Sequence, residues 1–375
     1  MASIANVLIV GGGIAGTTLA ISLQRKGIQV EIVEFDPDWT VLGVGISLQG
    51  PALRALKTIG VLDRCVQEGF GYSKRVVGNA ECKITNVVNL PRLCGPDYPA
   101  TIGIMRPALH NILSHAATET GAVVRLGLTI SLVKQTPRAV EVEFADGTRG
   151  IYDFVVGADG IHSKVRELVF GKVLKPAPTG QAVWRAMVDR PPEVDSHCSF
   201  YGPRNKAGFN PVSHKEMYVF LTQNITDNVR LLTHRLPAVM REQLADFGGL
   251  MAEARERITS PEQIVCRPIE SFILPAPWYV GRVLLVGDAA HPTTPHLASG
   301  AGLAIEDTIV LTELLCSGAT LPEALEEFMA RRYERCRMVV ENSLQLGEWE
   351  KNPTAPGADP VGLISRTIEA LALPI

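Results

Sequence analysis

Residues Val7 to Gly16 read V-L-I-V-G-G-G-I-A-G, and the next apolar run, V-E-I-V-E, closes on Glu34. The glycines have the spacing a backbone needs to approach a diphosphate. Gly11 allows a sharp turn, Gly13 allows close approach, and Gly16 lets a helix pack on the strand. The free N–H groups of Gly13, Ile14 and Ala15 would open that helix and face phosphate oxygens. A carboxylate about 20 positions further on can accept both hydroxyls of a ribose, which is the role expected of Glu34. The strand before and the helix after the glycines supply the context that a dinucleotide site requires.

Two later segments carry the same kind of chemistry. Asp288 lies in G-D-A-A-H-P, directly after the apolar run V-L-L-V. A carboxylate at a strand end can accept hydrogen bonds from a polyol, and Gly287 removes the side chain that would block it. The alternative for Asp288 is a turn or helix cap. Asp159 and Gly160 end the run F-V-V-G-A-D-G as a tight turn. Arg106 opens the helical stretch R-P-A-L-H-N-I-L, with Pro107 in its first turn. A cation is disfavoured at a helix N-terminus, so an anion close by is expected.

The elements that must hold these residues follow from hydrophobic periodicity. Strand, helix and strand over Asn6–Val10, 15–26 and Gln29–Glu34 form a βαβ unit with a parallel sheet. Helical spacing recurs over 51–59 and 106–118. Short strands are expected over 123–126, 131–135 and 140–144, with a hairpin turn at Asp146-Gly147, then a buried strand over 152–156. From about Lys175 short alternating runs (181–188, 198–201, 217–222) indicate an antiparallel sheet. A buried strand returns at 283–286, followed by long helices from about Ala301 and over 322–346. Residues 351–360 read as a Pro/Gly linker and 361–373 as an amphipathic helix that could form a homodimer contact. The expected division is a discontinuous nucleotide-binding domain (1–72, 100–177 and 275–350), an inserted domain (73–99 and 178–274), and a C-terminal segment, 351–375.

Composition narrows the classes. The chain has 375 residues, 46% of them hydrophobic, enough for large cores. A net charge of −3 and the lack of any basic run give no case for nucleic acid. Seven cysteines with no C-x-x-C pair argue for a reducing, cytoplasmic setting, and against a disulfide framework or a zinc site. The apolar N-terminus lacks a basic flank and reads as a buried strand, not a signal peptide. No apolar run is long enough to span a membrane. No metal site is expected. His110 and His115 read as a solvated helix face, and His162 and His291 as structural members of their motifs.

The order of Gly11-x-Gly13-x-x-Gly16, Gly157-Ala158-Asp159-Gly160 with Arg166, and Gly287-Asp288-Ala289-Ala290-His291-Pro292 resembles the single-component FAD-dependent aromatic hydroxylases. That family includes salicylate and 4-hydroxybenzoate hydroxylase, and the length looks most like the shorter salicylate and 6-hydroxynicotinate type. The resemblance implies an α/β fold like that of 4-hydroxybenzoate hydroxylase. Its FAD-binding domain is Rossmann-like, with a mostly antiparallel substrate sheet inserted. It implies FAD as cofactor, NADH or NADPH as transient reductant, and O2 with a small phenolic or hydroxypyridine-type substrate. The oxygen would be transferred from a flavin C4a-hydroperoxide. Asp288 would sit on the ribityl chain, Asp159 and Gly160 near the diphosphate and the nicotinamide donor, and Arg106 on the cofactor. Gly45 and Ile46 resemble the loop beside the isoalloxazine. Pro295, Gly300 and Ala301 resemble the family's proline followed by G-x-G-x-N, whose N–H groups can stabilise a reduced ring. The sequence departs there, with Ala298 for the first glycine and Gly302 for the asparagine. Ser47 stands where some members place a catalytic histidine.

The acid–base group is not fixed by these motifs. Candidates are His296, beside the flavin-side proline, and Tyr201, His214, Tyr218 and Arg185 on the inserted sheet. Two other readings remain open on the same fold: a hydroxylase of non-aromatic or polyketide-like compounds or a prenyl-type reductase, and a flavin-bound sensor without turnover.

Overall fold

The computed structural model describes residues 4–41, 43–225 and 232–375. Its centre is the strand Asn6–Val10, whose last four residues are fully buried. A run of Val, Leu and Ile without alternation suits a strand covered on both faces. It pairs in parallel with Gln29–Glu34 on one side and Phe154–Gly157 on the other. Val283–Leu285 extends the parallel order beyond Phe154–Gly157, and Val123–Leu126 extends it beyond Gln29–Glu34. The short strand Tyr279–Val280 closes one edge antiparallel. In this register Val10, Glu34, Gly157 and Leu285 end at the same sheet edge. The loops that follow them, bearing Gly11, Asp159 and Asp288, therefore share the carboxyl edge where parallel sheets take their ligands.

The helices Ile14–Gln24, Gly300–Leu315 and Arg106–Glu119 pack together over one face of this sheet. A three-stranded antiparallel sheet, Ile130–Gln135, Val140–Phe144 and Arg149–Tyr152, covers part of the other. The single strand expected over 152–156 is in fact two. Asp153 breaks it, and its carboxylate accepts N–H bonds from Ala5 and Asn6 at 2.8 and 2.9 Å. Tyr152 therefore belongs to the small sheet and Phe154 to the parallel one.

A seven-stranded sheet forms the second layer. Its order is Ile264–Ser271, Ala177–Asp189, Glu216–Asn224, Lys206–Pro211, His197–Tyr201, Lys74–Asn79 and Ile84–Asn89. Every pair is antiparallel except His197–Tyr201 with Lys74–Asn79. Alternation splits its faces. Trp184, Phe200, Phe209, Met217 and Leu221 pack outward under the helices Leu236–Gln243 and Gly249–Glu256. The opposite face looks back toward the parallel sheet. A small sheet of Phe70–Tyr72, Thr101–Met105 and Gly45–Gln49 joins the layers. No helix among the described residues is long and apolar enough to cross a membrane.

Candidate cofactor and substrate site

A cavity of about 580 Å³ lies between the carboxyl edge of the parallel sheet and the inner face of the seven-stranded sheet. At its deep end the three glycines do different work. A Cβ on Gly11, whose φ is +107°, would lie 2.4 Å from the Ala158 carbonyl oxygen. One on Gly16 would lie 1.9 Å from the Gly11 oxygen. The protein itself therefore requires both. A Cβ on Gly13 would meet nothing within 4 Å, because Gly13 faces the cavity. Gly13 is the N-cap of the helix Ile14–Gln24, and no side chain caps that end. Its N–H groups are open to an anion.

Glu34 differs from the expectation of a free acceptor. Its two oxygens accept backbone N–H bonds, from Gly12 at 2.6 Å and from Asp36 at 2.9 Å. Trp39 Nε1 donates to the Gly12 carbonyl at 3.0 Å and reinforces the same loop. Glu34 thus shapes the glycine turn, with one lone pair left on each oxygen.

Asp288 opens onto the cavity and makes no hydrogen bond among the described residues. The residue is exposed to the cavity, yet the protein packed around the cavity wall raises its carboxyl pKa by desolvation, with His291 and Arg106 opposing the rise. Gly287 takes φ +58°, and its N–H donates to Asp307 Oδ2 at 2.9 Å. The same oxygen meets His291 Nε2 at 2.7 Å, and Asp307 Oδ1 accepts from Arg332 Nε at 2.8 Å. Burial would discharge His291, but Cys336 and Asp307 hold its pKa well above the ordinary value. His291, Asp307 and Cys336 cluster as metal ligands do, yet Arg332 already supplies the positive charge there.

Arg106 also borders the cavity. Burial lowers its pKa first and Arg185 lowers it further, while Asp288 raises it. Its guanidinium has no ion pair among the described residues. Asp159 is a correction. Its carboxylate accepts bonds from Ser163 Oγ, Lys164 N and Val165 N, and so caps the short helix Lys164–Phe170. Only the backbone around it, at Ala158 and Gly160, reaches the cavity. His162 is 76% exposed, so its structural reading fails as well. His110 is not solvated: it is buried, with Nε2 at 2.9 Å from the Trp39 carbonyl.

Two catalytic candidates lie outside the cavity, and a third is buried at its wall. Tyr201, at the end of its strand, is 43% exposed and lies outside the cavity. His214 sits in the loop before Glu216–Asn224, edge-on to Phe70, and is also outside. His296 borders the cavity, but its side chain is only 1% exposed. Its Nδ1 lies 2.7 Å from Thr294 Oγ1, and its Nε2 lies 3.3 Å from a Glu350 oxygen. Burial lowers the His296 pKa and keeps the ring neutral. Glu350 comes from the last turn of the helix Leu321–Lys351 and pairs with Lys206. Burial would raise its pKa, but Lys206 and His296 bring it down to about 2.

Tyr218 and Arg185 do face the cavity, on the inner side of the seven-stranded sheet. Gly45 lets its strand lie on that floor, since a Cβ there would be 2.2 Å from Val212 Cγ1 and 2.7 Å from Tyr218. Ile46, Pro295, Gly300 and Ala301 line the opposite wall, where the helix Gly300–Leu315 begins without a side-chain cap. Ser47 and three residues not anticipated from sequence, Tyr72, Asn210 and His197, complete the floor. Ser47 Oγ and Tyr72 OH both donate to Asn210 Oδ1, at 3.0 and 2.9 Å, and His197 Nδ1 lies 3.2 Å from the same oxygen. Burial, helped by Arg75, lowers the His197 pKa to about 3, so this network is neutral. The signal for it was in H-C-S-F-Y, where His197 and Ser199 alternate with the core residues Cys198 and Phe200.

Comparison with known proteins agrees with this geometry. A family model described as FAD binding domain matches residues 5–343. The chain is 32% identical to an aurachin C monooxygenase/isomerase of Stigmatella aurantiaca over 92% of its length and 90% of that protein. It is 31% identical to a 2-heptyl-3-hydroxy-4(1H)-quinolone synthase of Pseudomonas aeruginosa, again over 92% and 90%. The fold matches Klebsiella pneumoniae HpxO complexed with FAD and uric acid, with a TM-score of 0.84 at 20% identity over 98% of this chain and 92% of that one. With an open helix N-terminus at Gly13, an unpartnered carboxylate at Asp288 and this kinship, the chain belongs to the single-component FAD-dependent aromatic hydroxylases, monooxygenases that use NAD(P)H and O2.

Proposed function

We propose that this chain hydroxylates a small, electron-rich aromatic compound, phenolic or hydroxypyridine-like, on the inner face of the seven-stranded sheet. The observation that carries the reading is Asp288, a carboxylate that faces a ligand-sized cavity and has no hydrogen-bond or ion-pair partner among the described residues. An ionised carboxylate only accepts hydrogen bonds, so a hydroxyl-rich ligand in the cavity is its natural complement. Gly13, Ile14 and Ala15 would hold the FAD diphosphate, Asp288 the ribityl chain, and Arg106 the anionic stretch between. Gly45, Ile46, Pro295, Gly300 and Ala301 would flank the ring. Bound FAD supplies the two-electron redox chemistry and the reaction with O2 that side chains lack.

The chain's own task is to position the substrate and keep it dry. Tyr218 and Phe220 offer aromatic walls, and Ser47 and Tyr72 offer hydroxyls already aligned by Asn210. With His197 neutral, this network can orient a ring hydroxyl without placing a fixed charge beside it. Tyr218 and Arg185 stay as the candidates that touch substrate or ring. The division into a discontinuous cofactor domain and an inserted substrate domain, a cytoplasmic location and a homodimer belong to this reading. The C-terminal helix bears less on the last, because it packs on its own chain.

The test is to purify the holoprotein and screen phenolic and hydroxypyridine acids for accelerated flavin reduction by NADH and NADPH, with product and peroxide measured per NAD(P)H consumed. Substrate-stimulated, coupled turnover is expected. Oxidation indifferent to every ring compound would overturn the reading.

A further inference from the structure

The floor of the cavity has a charge pattern that the proposed chemistry does not use. Cross-strand register places Arg185, Phe220, Gly208 and Ser199 in one row that ends at Val77, with Arg75 two residues along the same strand. Four strand spacings separate the strands of Arg185 and Arg75, on the order of 19 Å at the backbone. Arg75 faces the cavity beside His197, its register partner. It makes no ion pair or hydrogen bond among the described residues. Its neighbours on the floor do not compensate it: Tyr72, His197 and Ser199 are neutral, and Lys206 is a cation already paired with Glu350. Glu270, an acid that lines the cavity, lies on the strand at the far edge of the sheet.

Between the two arginines the row is low and aromatic. A Cβ on Gly208 would come 2.4 Å from the Phe220 ring, so Phe220 leans over the glycine. His197 stacks on Phe220, with ring centroids 5.3 Å apart and planes at 11°. A flat surface therefore runs from the cofactor side of the cavity toward one unpaired guanidinium. A guanidinium that loses water to an incoming ligand, with no carboxylate of its own, favours a ligand that brings one.

We propose that Arg75 anchors a carboxylate carried on an arm of the aromatic substrate, at the end of the floor remote from Arg185. The substrate is then an elongated aryl acid, not a neutral ring and not a single-ring acid whose charge sits on the ring itself. This rests on the aromatic hydroxylase reading above and adds the position of the charge. Lys74 is the natural control, because it is the adjacent residue and pairs with Asp195 at 2.8 Å, outside the cavity.

The experiment is a titration of the holoenzyme, read by perturbation of the bound flavin's visible spectrum. The probes are 4-phenylbutanoate, its methyl ester, and benzoate. Wild type should bind 4-phenylbutanoate at least tenfold more tightly than either the ester or benzoate. R75Q should erase the difference between acid and ester, R75K should keep part of it, and K74Q should keep all of it. As Arg75 holds nothing in the protein, R75Q should melt with wild type. Equal binding of acid and ester by wild type, or full discrimination by R75Q, would overturn the anchor while leaving the aromatic reading intact. Failure of every probe to perturb the flavin would overturn both.

Discussion

Gly13 and Asp288 are poorly explained by the protein's own needs, which makes them separable from folding. A methyl group on Gly13 meets no protein atom within 4 Å. Gly13→Ala should change apo-protein stability by less than about 1 kcal/mol, since a weaker N-cap and a stiffer unfolded chain offset each other. FAD affinity should nevertheless fall at least about tenfold, roughly 1.4 kcal/mol. Thermal melting of apo-protein alongside flavin-fluorescence titration distinguishes the two effects. Asp288 gives a pH signature. Its folded pKa is raised above 3.8, so the folded apo-protein holds the proton more tightly than the unfolded chain does. That contribution is fully present below pH 3.8 and is lost as pH rises through the higher folded value. Asp288→Asn should therefore stabilise apo-protein slightly near pH 7, because solvent in the cavity screens the carboxylate, with the gain vanishing in acid. It should weaken FAD by about 1.5–3 kcal/mol, the scale of a charge-assisted bond. Melting curves of apo-protein at pH 3.5 and 7 check the sign, and loss of stability at pH 7 would return Asp288 to a structural role.

At the scale of elements, the loop before the helix Gly300–Leu315 shows what sequence could and could not tell. Ala298 occupies the left-handed region, with φ +50°, where the family pattern has glycine. An L-residue there costs about 1–2 kcal/mol, and glycine's extra chain entropy returns about half. Ala298→Gly should raise stability by roughly 0.5–1 kcal/mol on thermal melting. The motifs at Gly11, Gly16 and Gly287 were legible because each needs a residue type at a fixed place within one turn. Nearness of His296 to Pro295 in sequence places it at the cavity wall but says nothing of what covers its ring. The helix Leu321–Lys351, arriving from elsewhere, covers that ring. The floor was illegible for a similar reason: Arg75 meets His197 only through a parallel pairing across more than a hundred residues. The covering helix also carries Glu350, whose pKa is held at about 2 against a usual 4.5. Its contribution to stability is present above pH 4.5 and fades as pH falls toward 2. Glu350→Gln should cost about 3–5 kcal/mol at neutral pH by leaving Lys206 unpaired. The penalty should shrink through that acid window in denaturant titrations.

Across the whole molecule, the C-terminal helix Pro360–Ala372 is fastened from within. Arg54 donates to the carbonyls of Ala372 and Leu373, and Arg335 to those of Ala370 and Leu371. Glu306, on the helix that begins at the cavity wall, pairs with Arg335 and Arg332. Cations suit helix C-termini, and here one buried carboxylate gathers them. Ile368 of the fastened helix reaches the cavity lining. Deleting 356–375 should therefore lower the melting temperature by several degrees and raise the share of NAD(P)H that ends as peroxide, because water would enter. Full coupling in the truncated enzyme would show that the helix does not seal the site. The order of the parallel sheet bears on how the enzyme is born. Asn6–Val10 leaves the ribosome first, but Val283–Leu285, which leads to Asp288, emerges almost three hundred residues later. At ~5–20 residues per second, on the order of 15–55 s of translation pass before the proposed phosphate cradle and the proposed ribityl acceptor coexist. FAD capture is then confined to the last part of synthesis and after it, and chains arrested on the ribosome before Leu285 should stay flavin-free in a pull-down where released chains are yellow.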